Sequence, residues 1–418
     1  MFYLLFVFYF LLAGWMMCRL NFVRHSGLSN KNILILFSIK ILAAIALGWL
    51  SNHFSYYNDY WGLNRESMNE YNLLMNNPRK FFTDITYSPY ENAYGGFFNS
   101  VGSYWNDLKN NIILKILAFC NIFSRGNYYI NSLIFNCLGF LGHVAFFRIF
   151  IHIYPTKKLM AIIGCFLLPS TLYFSSGIHK DLVTFSMLGI FCYCLYFGVE
   201  QRMTIKRWIG LILSSIAILL TRNFILVALI PASVAFIISI KKQWPPVRSF
   251  LLVYATGFLL LLVQQITLPS IQPLKIISQK QADFLDLPVA ASQLTTYKLE
   301  PTLGSLFQNL PQAFNHGFLR PYIWENAGKF AVFFALEIIL YILLLCWMLF
   351  KRYPSSRNTN AFICFAVAFT VMMILVTGLI IPNSSSIIRY KSIYLPLLIT
   401  PILCNIRIPN RVKIHINL

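Results

Sequence analysis

Long apolar runs separated by short polar connections dominate the chain. Runs at about 1–18, 32–50, 128–151, 158–176, 182–199, 207–221, 223–240, 249–268, 330–350, 361–381 and 392–405 each approach the ~20 apolar residues a helix needs to cross a ~30 Å hydrocarbon layer. The pattern predicts an all-α polytopic membrane protein with about eleven spanning helices. The first run follows no basic residue and ends in no small-residue cleavage site, so it reads as a retained helix rather than a signal peptide. Runs 207–221 and 223–240 are divided only at Arg222-Asn223, which predicts either a tight helical hairpin or one broken pair. Residues 112–124, IILKILAFCNIFS, are apolar but too short to span, the pattern of an interfacial or re-entrant helix. Two longer connections, about 51–111 and about 269–328, interrupt what otherwise reads as one integral membrane domain over 1–418.

Composition agrees with the pattern. Hydrophobic residues make up 58% of the chain and charged residues 11%, where a soluble domain carries ~25% charged. A soluble enzyme, a coiled coil and a disordered chain are excluded. The net charge of +21, from 34 Lys+Arg against 13 Asp+Glu, would suggest nucleic acid in a soluble protein. Here the bases sit in short clusters between apolar runs, which points to topology and anionic lipid headgroups, not to nucleic acid.

Those clusters lie in alternate connections: Arg19, Arg24 and Lys31; Lys157 and Lys158; Arg202, Lys206 and Arg207; Lys241, Lys242 and Arg248; Lys351, Arg352 and Arg357; Arg407, Arg411 and Lys413. Glu200 is the one acid among them. The opposite set of connections holds eleven of the thirteen acids. The positive-inside rule then places the basic set in the cytoplasm, the N-terminus outside and the C-terminus inside. Both long connections fall on the outer side. The cytoplasmic connections leave no room for an ATP-binding domain or P-loop, so chemistry is expected at the outer face, on lipid-linked or exported substrates. No internal repeat is visible, which argues against repeat-built transporters. The nine cysteines contain no CxxC and lie mostly in apolar runs, so neither a disulfide framework nor a metal site is expected. No organic cofactor is expected either. No dense acid cluster demands a divalent metal, a point the sequence leaves open.

Candidate chemistry begins in HFSYYNDYWGLNRESMNEY, residues 53–71. Asp59 follows the end of an apolar run by ~9 residues, close enough to the membrane surface to accept a proton from an acceptor hydroxyl. A solvated loop acid is the plain alternative. Glu66 and Glu70, four apart, fit the outer face of a short helix. Asp84, Glu91 and Asp107 are scattered among aromatic and amide residues that suit either sugar contact or interfacial anchoring. In LLPSTLYFSSGIHKDLVTF, residues 167–185, Asp181 is placed to cap the next helix. Lys180 beside it either faces a substrate or snorkels to headgroups. Further cations fall at outer helix ends: Arg222, Arg320 in HGFLRPYIWE, and Arg389 and Lys391 in IIPNSSSIIRYKSIYLP. Expelling a lipid phosphate requires such charges, because the leaving group gains negative charge in the transition state, and arginine holds phosphate in a fork. Lys40 and Glu337 read as the intramembrane charges, and a structural pair, tested first between these two, is favoured over a proton path.

An early outer acid, PSxLYxSSGxxKD, RPYxWE and RYKxxYLP occur in that order across residues 33–405. Together they resemble the bacterial multi-spanning glycosyltransferases of the GT-C fold, dependent on polyprenyl-phosphate sugars and of the mannosyltransferase or aminoarabinose-transferase type. The resemblance implies a GT-C-like fold in the bacterial inner membrane. It also implies transfer of a sugar from a polyprenyl-phosphate-linked donor to a glycan or lipid acceptor. By it Asp59 is the general base, Arg389 and Tyr390 the pair at the lipid phosphate, and Arg320 a substrate-loop cation. Asp59 stands between Asn58 and Tyr60-Trp61 where such enzymes often carry paired acids or Asp-Tyr-His, and one extra helix precedes the first loop. The chain is also similar to polysaccharide polymerases of the EpsG type, which join lipid-linked oligosaccharides. A lipid-linked-glycan transporter without covalent chemistry is the reading from a different class.

Overall fold

The computed structural model describes residues 2–54, 59–83, 104–267, 272–286, 292–325, 331–350 and 357–406. Asp84, Glu91, Lys351, Arg352 and the basic tail with Arg407, Arg411 and Lys413 lie outside them. The chain opens with α1 (Phe2–Arg19), the short α2 (Asn21–Arg24) and α3 (Asn30–Phe54). The first long connection holds α4 (Asp59–Asn76), α5 (Pro78–Thr83) and α6 (Tyr104–Ser124). Then come α7 (Tyr128–Ile153), α8 (Lys158–Phe166), α9 (Pro169–Phe174), α10 (Lys180–Glu200), α11 (Ile205–Lys241) and α12 (Pro246–Thr267). The second long connection holds α13 (Pro273–Leu285), α14 (Leu303–Phe314) and a π-helical turn, Asn315–Leu319. The chain continues with α15 (Ala331–Phe350), α16 (Arg357–Ile380) and α17 (Ser384–Asn405).

Among the described residues nine helices are long and apolar enough to cross a membrane: α1, α3, α7, α10, α11, α12, α15, α16 and α17. The chain is a multi-pass helical membrane protein. Its described residues pair as β-structure only in one isolated bridge, Gln293 to Asn383.

Three departures from the apolar pattern have physical causes. The run expected at 158–176 is two short helices, because Pro169 lacks an N–H and forces Leu168 into an extended conformation (φ −65°, ψ 120°). Runs 207–221 and 223–240 are joined in α11 through Arg222, whose backbone is not helical (φ −147°, ψ 75°). The chain folds back there. Thr221 Oγ1 meets Thr184 Oγ1 of α10 at 2.8 Å, whereas Phe236 stacks on Tyr196, near the other end of α10, at 6.4 Å. The two halves of α11 are therefore antiparallel, the hairpin of the two arrangements its sequence allowed. Finally α17 begins eight residues before the expected 392, because Asn383 caps it by accepting from the N–H groups of Ser385 and Ser386 at 3.0 and 3.4 Å.

Helices α10 and α17 form the centre, with most of their residues buried, whereas α1 and α12 are largely exposed at the periphery. Without water in the bilayer, helices associate by close packing rather than by a hydrophobic drive. Gly142 of α7 and Gly189 of α10 permit that approach. A Cβ on Gly142 would lie 2.6 Å from Ser186 Cα, and one on Gly189 would lie 2.6 Å from the Gly142 carbonyl oxygen.

The expected short apolar helix at 112–124 is the second half of the amphipathic α6. A buried amide network fastens it to α4 and α7. Asn131 Nδ2 donates to Asn64 Oδ1 at 2.8 Å and to Asn121 Oδ1 at 2.6 Å, and Asn121 Nδ2 donates to Ser67 Oγ at 2.9 Å. Glu66 and Glu70 lie on α4 as expected of a short helix. Glu66 is exposed, while Glu70 pairs with Lys115 of α6 at 2.9 Å. Trp61 then ties α4 to the bundle, stacking on Tyr128 at 4.2 Å and donating from Nε1 to the Gly48 carbonyl at 2.9 Å. These contacts fix the start of α4, and with it Asp59.

Candidate functional site

Four elements converge at one end of the bundle: the first residue of α4, the turn between α9 and α10, the bend at Arg222, and the second turn of α17. At their centre is Asp181, 1% exposed. It does not act as the cap the sequence suggested; His179 occupies the N-cap position. The Asp181 carboxylate instead holds two arginines from different helices and the imidazole of His179. Arg222 donates to its Oδ1 from Nε at 3.1 Å and from Nη2 at 2.7 Å. Arg389 Nε lies 3.3 Å from Oδ2, and His179 Nδ1 lies 2.8 Å from the same oxygen. A carboxylate at this depth is tolerable only with such partners.

Arg222 is held on its other side as well. Its Nη1 donates to the Tyr390 hydroxyl at 2.7 Å, and its guanidinium sits 4.1 Å from the Tyr390 ring centre. Arg389 is held more loosely. Besides the 3.3 Å approach to Asp181, its Nη1 donates to Asp59 Oδ2 at 3.4 Å. Asp59 is the exposed member of the group, with 63% of its side chain open. The site thus has a buried pair, Asp181 and Arg222, and an open pair, Asp59 and Arg389.

His179 lies between the two carboxylates. Burial holds its imidazole below the ordinary value, with Asp181 pulling the other way and Arg389 and Arg222 reinforcing the fall. The ring is therefore neutral near pH 7. The 2.8 Å contact from Nδ1 to Asp181 is shorter than the 3.3 Å contact from the Asp181 backbone N–H to the same nitrogen. That assigns the ring proton to Nδ1 and leaves the Nε2 lone pair on the side of Asp59, 3.8 Å away.

The turn carrying His179 and Asp181 is itself clamped from below. Lys40 of α3, 1% exposed, donates to the Ser175 carbonyl at 2.8 Å, to Ser175 Oγ at 3.0 Å and to Ser176 Oγ at 3.3 Å, and lies 3.2 Å from His143 Nε2. Asn136 Nδ2 donates to the Ser176 carbonyl at 2.8 Å. The expected pairing of Lys40 with Glu337 does not occur. Glu337 accepts from the Ser170 N–H at 3.1 Å, from Ser170 Oγ at 3.0 Å and from the Tyr341 hydroxyl. Each charge has found neutral polar partners on a different turn of the same broken segment.

The remaining cations divide into two groups. Lys180 lies beside Asp181 and donates to Asn110 Oδ1 of α6 at 2.8 Å, bringing the neighbouring Lys109 to the same mouth. Burial, with Lys180, Arg222 and Lys280 nearby, lowers the Lys109 ammonium to about 8. Arg320 and Lys391 form a separate cluster. Arg320 Nη1 pairs with Glu325 at 2.8 Å, and Lys391 donates to the carbonyls of Arg320 and Phe318 at 2.8 and 3.3 Å. Lys391 lines a small apolar cleft with Ser170, Phe334, Glu337 and Tyr341. It holds the end of the second long connection against α17 and does not face Asp59. Asp107 lies in the first turn of α6.

Of the residues singled out in the sequence, the structure thus assembles Asp59, Lys180, Arg222, Arg389 and Tyr390, and sets Arg320 and Lys391 apart. Sequence reasoning missed His179 and the central role of Asp181. Arg222 in a continuous apolar run was the available signal, since such a charge requires an acid. Among the described residues no group of three or more His, Cys, Asp and Glu side chains is placed to hold a metal ion. The fold and site define a multi-pass helical membrane protein with an acid–arginine cluster at one end of its bundle. No protein-family model, curated protein or solved structure matches the chain.

Proposed function

We propose that the protein is a membrane glycosyltransferase. It moves a sugar from a polyprenyl-phosphate-linked donor to an acceptor hydroxyl at the extracytoplasmic face of a bacterial inner membrane, in cell-envelope glycan assembly. The observation that carries this reading is the open pair. An exposed carboxylate, Asp59, stands 3.4 Å from an arginine, Arg389, that is itself only loosely held.

The chemistry needs those two groups side by side. Asp59 takes the proton of the acceptor hydroxyl. The acceptor oxygen forms a bond to the anomeric carbon with inversion, and the bond from that carbon to the phosphate oxygen breaks, leaving its electron pair on the lipid phosphate. Arg389 meets the growing charge. Tyr390 holds Arg222, Arg222 and His179 hold Asp181, and Asp181 holds Arg389 beside Asp59. Polymerisation of lipid-linked oligosaccharide is the second reading, favoured by Lys109 and Lys180 beyond the two arginines.

The test is transfer of radiolabelled sugar from a polyprenyl-phosphate donor in membranes containing the protein. Loss of one such contact costs roughly 100-fold in rate. Asp59→Asn and Arg389→Ala should each lower transfer by about that factor or more while the folded protein stays in the membrane. Near-normal transfer by either variant removes that residue from the mechanism. Movement of lipid-linked sugar across the bilayer without transfer replaces the enzyme by a transporter.

A further inference from the structure

The charges at the mouth do not balance. Arg222 and Arg389 oppose Asp181 and Asp59, two against two. Lys180 bonds a neutral amide oxygen, that of Asn110, at 2.8 Å, and shares Asp181 and Asp59 with the two arginines. Lys109, on the same turn of α6 as Asn110, has no acid or hydrogen-bond partner among the described residues. The charges acting on it from α10, α11 and α13 are Lys180, Arg222 and Lys280, all positive. Lys280 has its own acid, Asp283, at 3.4 Å. Among the described residues of the mouth, four cations, Arg222, Arg389, Lys180 and Lys109, therefore face two carboxylates, Asp181 and Asp59, a surplus of two positive charges. Uncompensated like charges in a part-buried site raise each other's energy, and a bound anion relieves that.

From this surplus we infer that the mouth formed by Lys109, Lys180 and Arg389 takes a diphosphate group. A monophosphate diester brings one negative charge and leaves one positive charge unmatched. A diphosphate diester brings two, matching the surplus, and its departure after sugar transfer adds a third, which falls to Arg389. The inference rests on the transferase reading only for the identity of the diphosphate as a lipid-linked sugar carrier; recognition of the diphosphate itself rests on the charges.

The experiment uses the purified full chain in lipid nanodiscs and measures binding of the methyl esters of geranyl monophosphate and geranyl diphosphate, diesters that carry one and two negative charges, and of inorganic diphosphate, by displacement of one another. The diphosphate diester should bind at least ~10-fold more tightly than the monophosphate diester, one such step corresponding to about 1.4 kcal/mol. The Lys109→Ala, Lys180→Ala double variant should bring the two within about three-fold, and the Lys109→Arg, Lys180→Arg variant should keep the preference. Equal affinities in the native chain, or a preference that survives in the alanine variant, overturn the inference. Inorganic diphosphate binding as tightly as the prenyl form assigns the site to a soluble diphosphate; weaker binding assigns it to the lipid-linked one. The two readings fail separately. A native chain that prefers diphosphate but transfers no sugar loses the transferase and keeps the site. One that transfers sugar from a monophosphate donor and shows no diphosphate preference keeps the transferase and loses the site.

Discussion

Arg222 and Arg389 both reach Asp181, yet their surroundings give them different work. Arg222 makes two short bonds to the buried carboxylate and a third to Tyr390, with 13% of its side chain exposed. Removing it leaves Asp181 with His179 and the single longer contact from Arg389. Breaking a buried ion pair by deleting one partner costs about 3–5 kcal/mol. Arg222→Met should therefore lower the thermal unfolding temperature of the purified protein sharply, with Arg222→Lys recovering part of the loss. Arg389→Ala, whose contacts are 3.3 and 3.4 Å, should leave unfolding nearly unchanged and act on transfer instead. Equal unfolding temperatures for Arg222→Met and Arg389→Ala would show that the two arginines share one role. Much of this was legible in sequence. A lone arginine in an apolar run, a lone acid at a helix start and an arginine before Tyr390 each demand a partner. Which partner each takes was not legible. Asp181 meets Arg222 across 41 positions and Arg389 across 208, and only the packing of α10 between α11 and α17 selects those pairs.

Helix boundaries decide where these side chains stand. Apolar run length located most long helices to within a few residues, because lipid-facing and core-facing positions are both apolar and the run reports the crossing. It failed where polar residues are helical. Serines 384–386 read as a connection, yet they form the first turn of α17 because Asn383 caps it. That cap is braced by the second long connection: Ser292 Oγ donates to Asn383 Oδ1 at 2.7 Å, and the Ser384 N–H donates to the Ser292 carbonyl at 3.0 Å. The long connections likewise hold α4, α5, α13 and α14, whose mixed composition offers no apolar run of spanning length. Replacing a capping asparagine by alanine costs about 1 kcal/mol. Asn383→Ala should lower the unfolding temperature modestly and reduce transfer through Arg389, six residues on, whereas Asn383→Asp should preserve both. An alanine variant with native transfer and native unfolding would mean that α17 is held by its buried core alone.

At the scale of the whole molecule, the return of the chain at Arg222 decides the topology. A straight α11 would rise ~1.5 Å per residue and carry Lys241 far beyond the bundle. Folded back, it sets Gln201, before α11, and Lys242, after it, at the same end, opposite Asp59 and Glu66. The site at Arg222 exists because both halves of α11 reach that end and stop. The distribution of bases and acids in the sequence predicts a cytoplasmic Lys242 end, and with that orientation the proposed chemistry faces outward. Single cysteines in a background stripped of the nine native ones test both statements together, using a thiol reagent that cannot cross the membrane. Glu66→Cys should react in intact cells. Gln201→Cys and Lys242→Cys should react only after the membrane is opened. If Gln201→Cys and Lys242→Cys report opposite sides, the hairpin is wrong and Arg222 is a kink in one long crossing. If both react in intact cells while Glu66→Cys is protected, the hairpin stands but the orientation is reversed. The acid–arginine cluster would then face the cytoplasm, where soluble activated donors are available, and a lipid-linked donor would no longer be required by the topology.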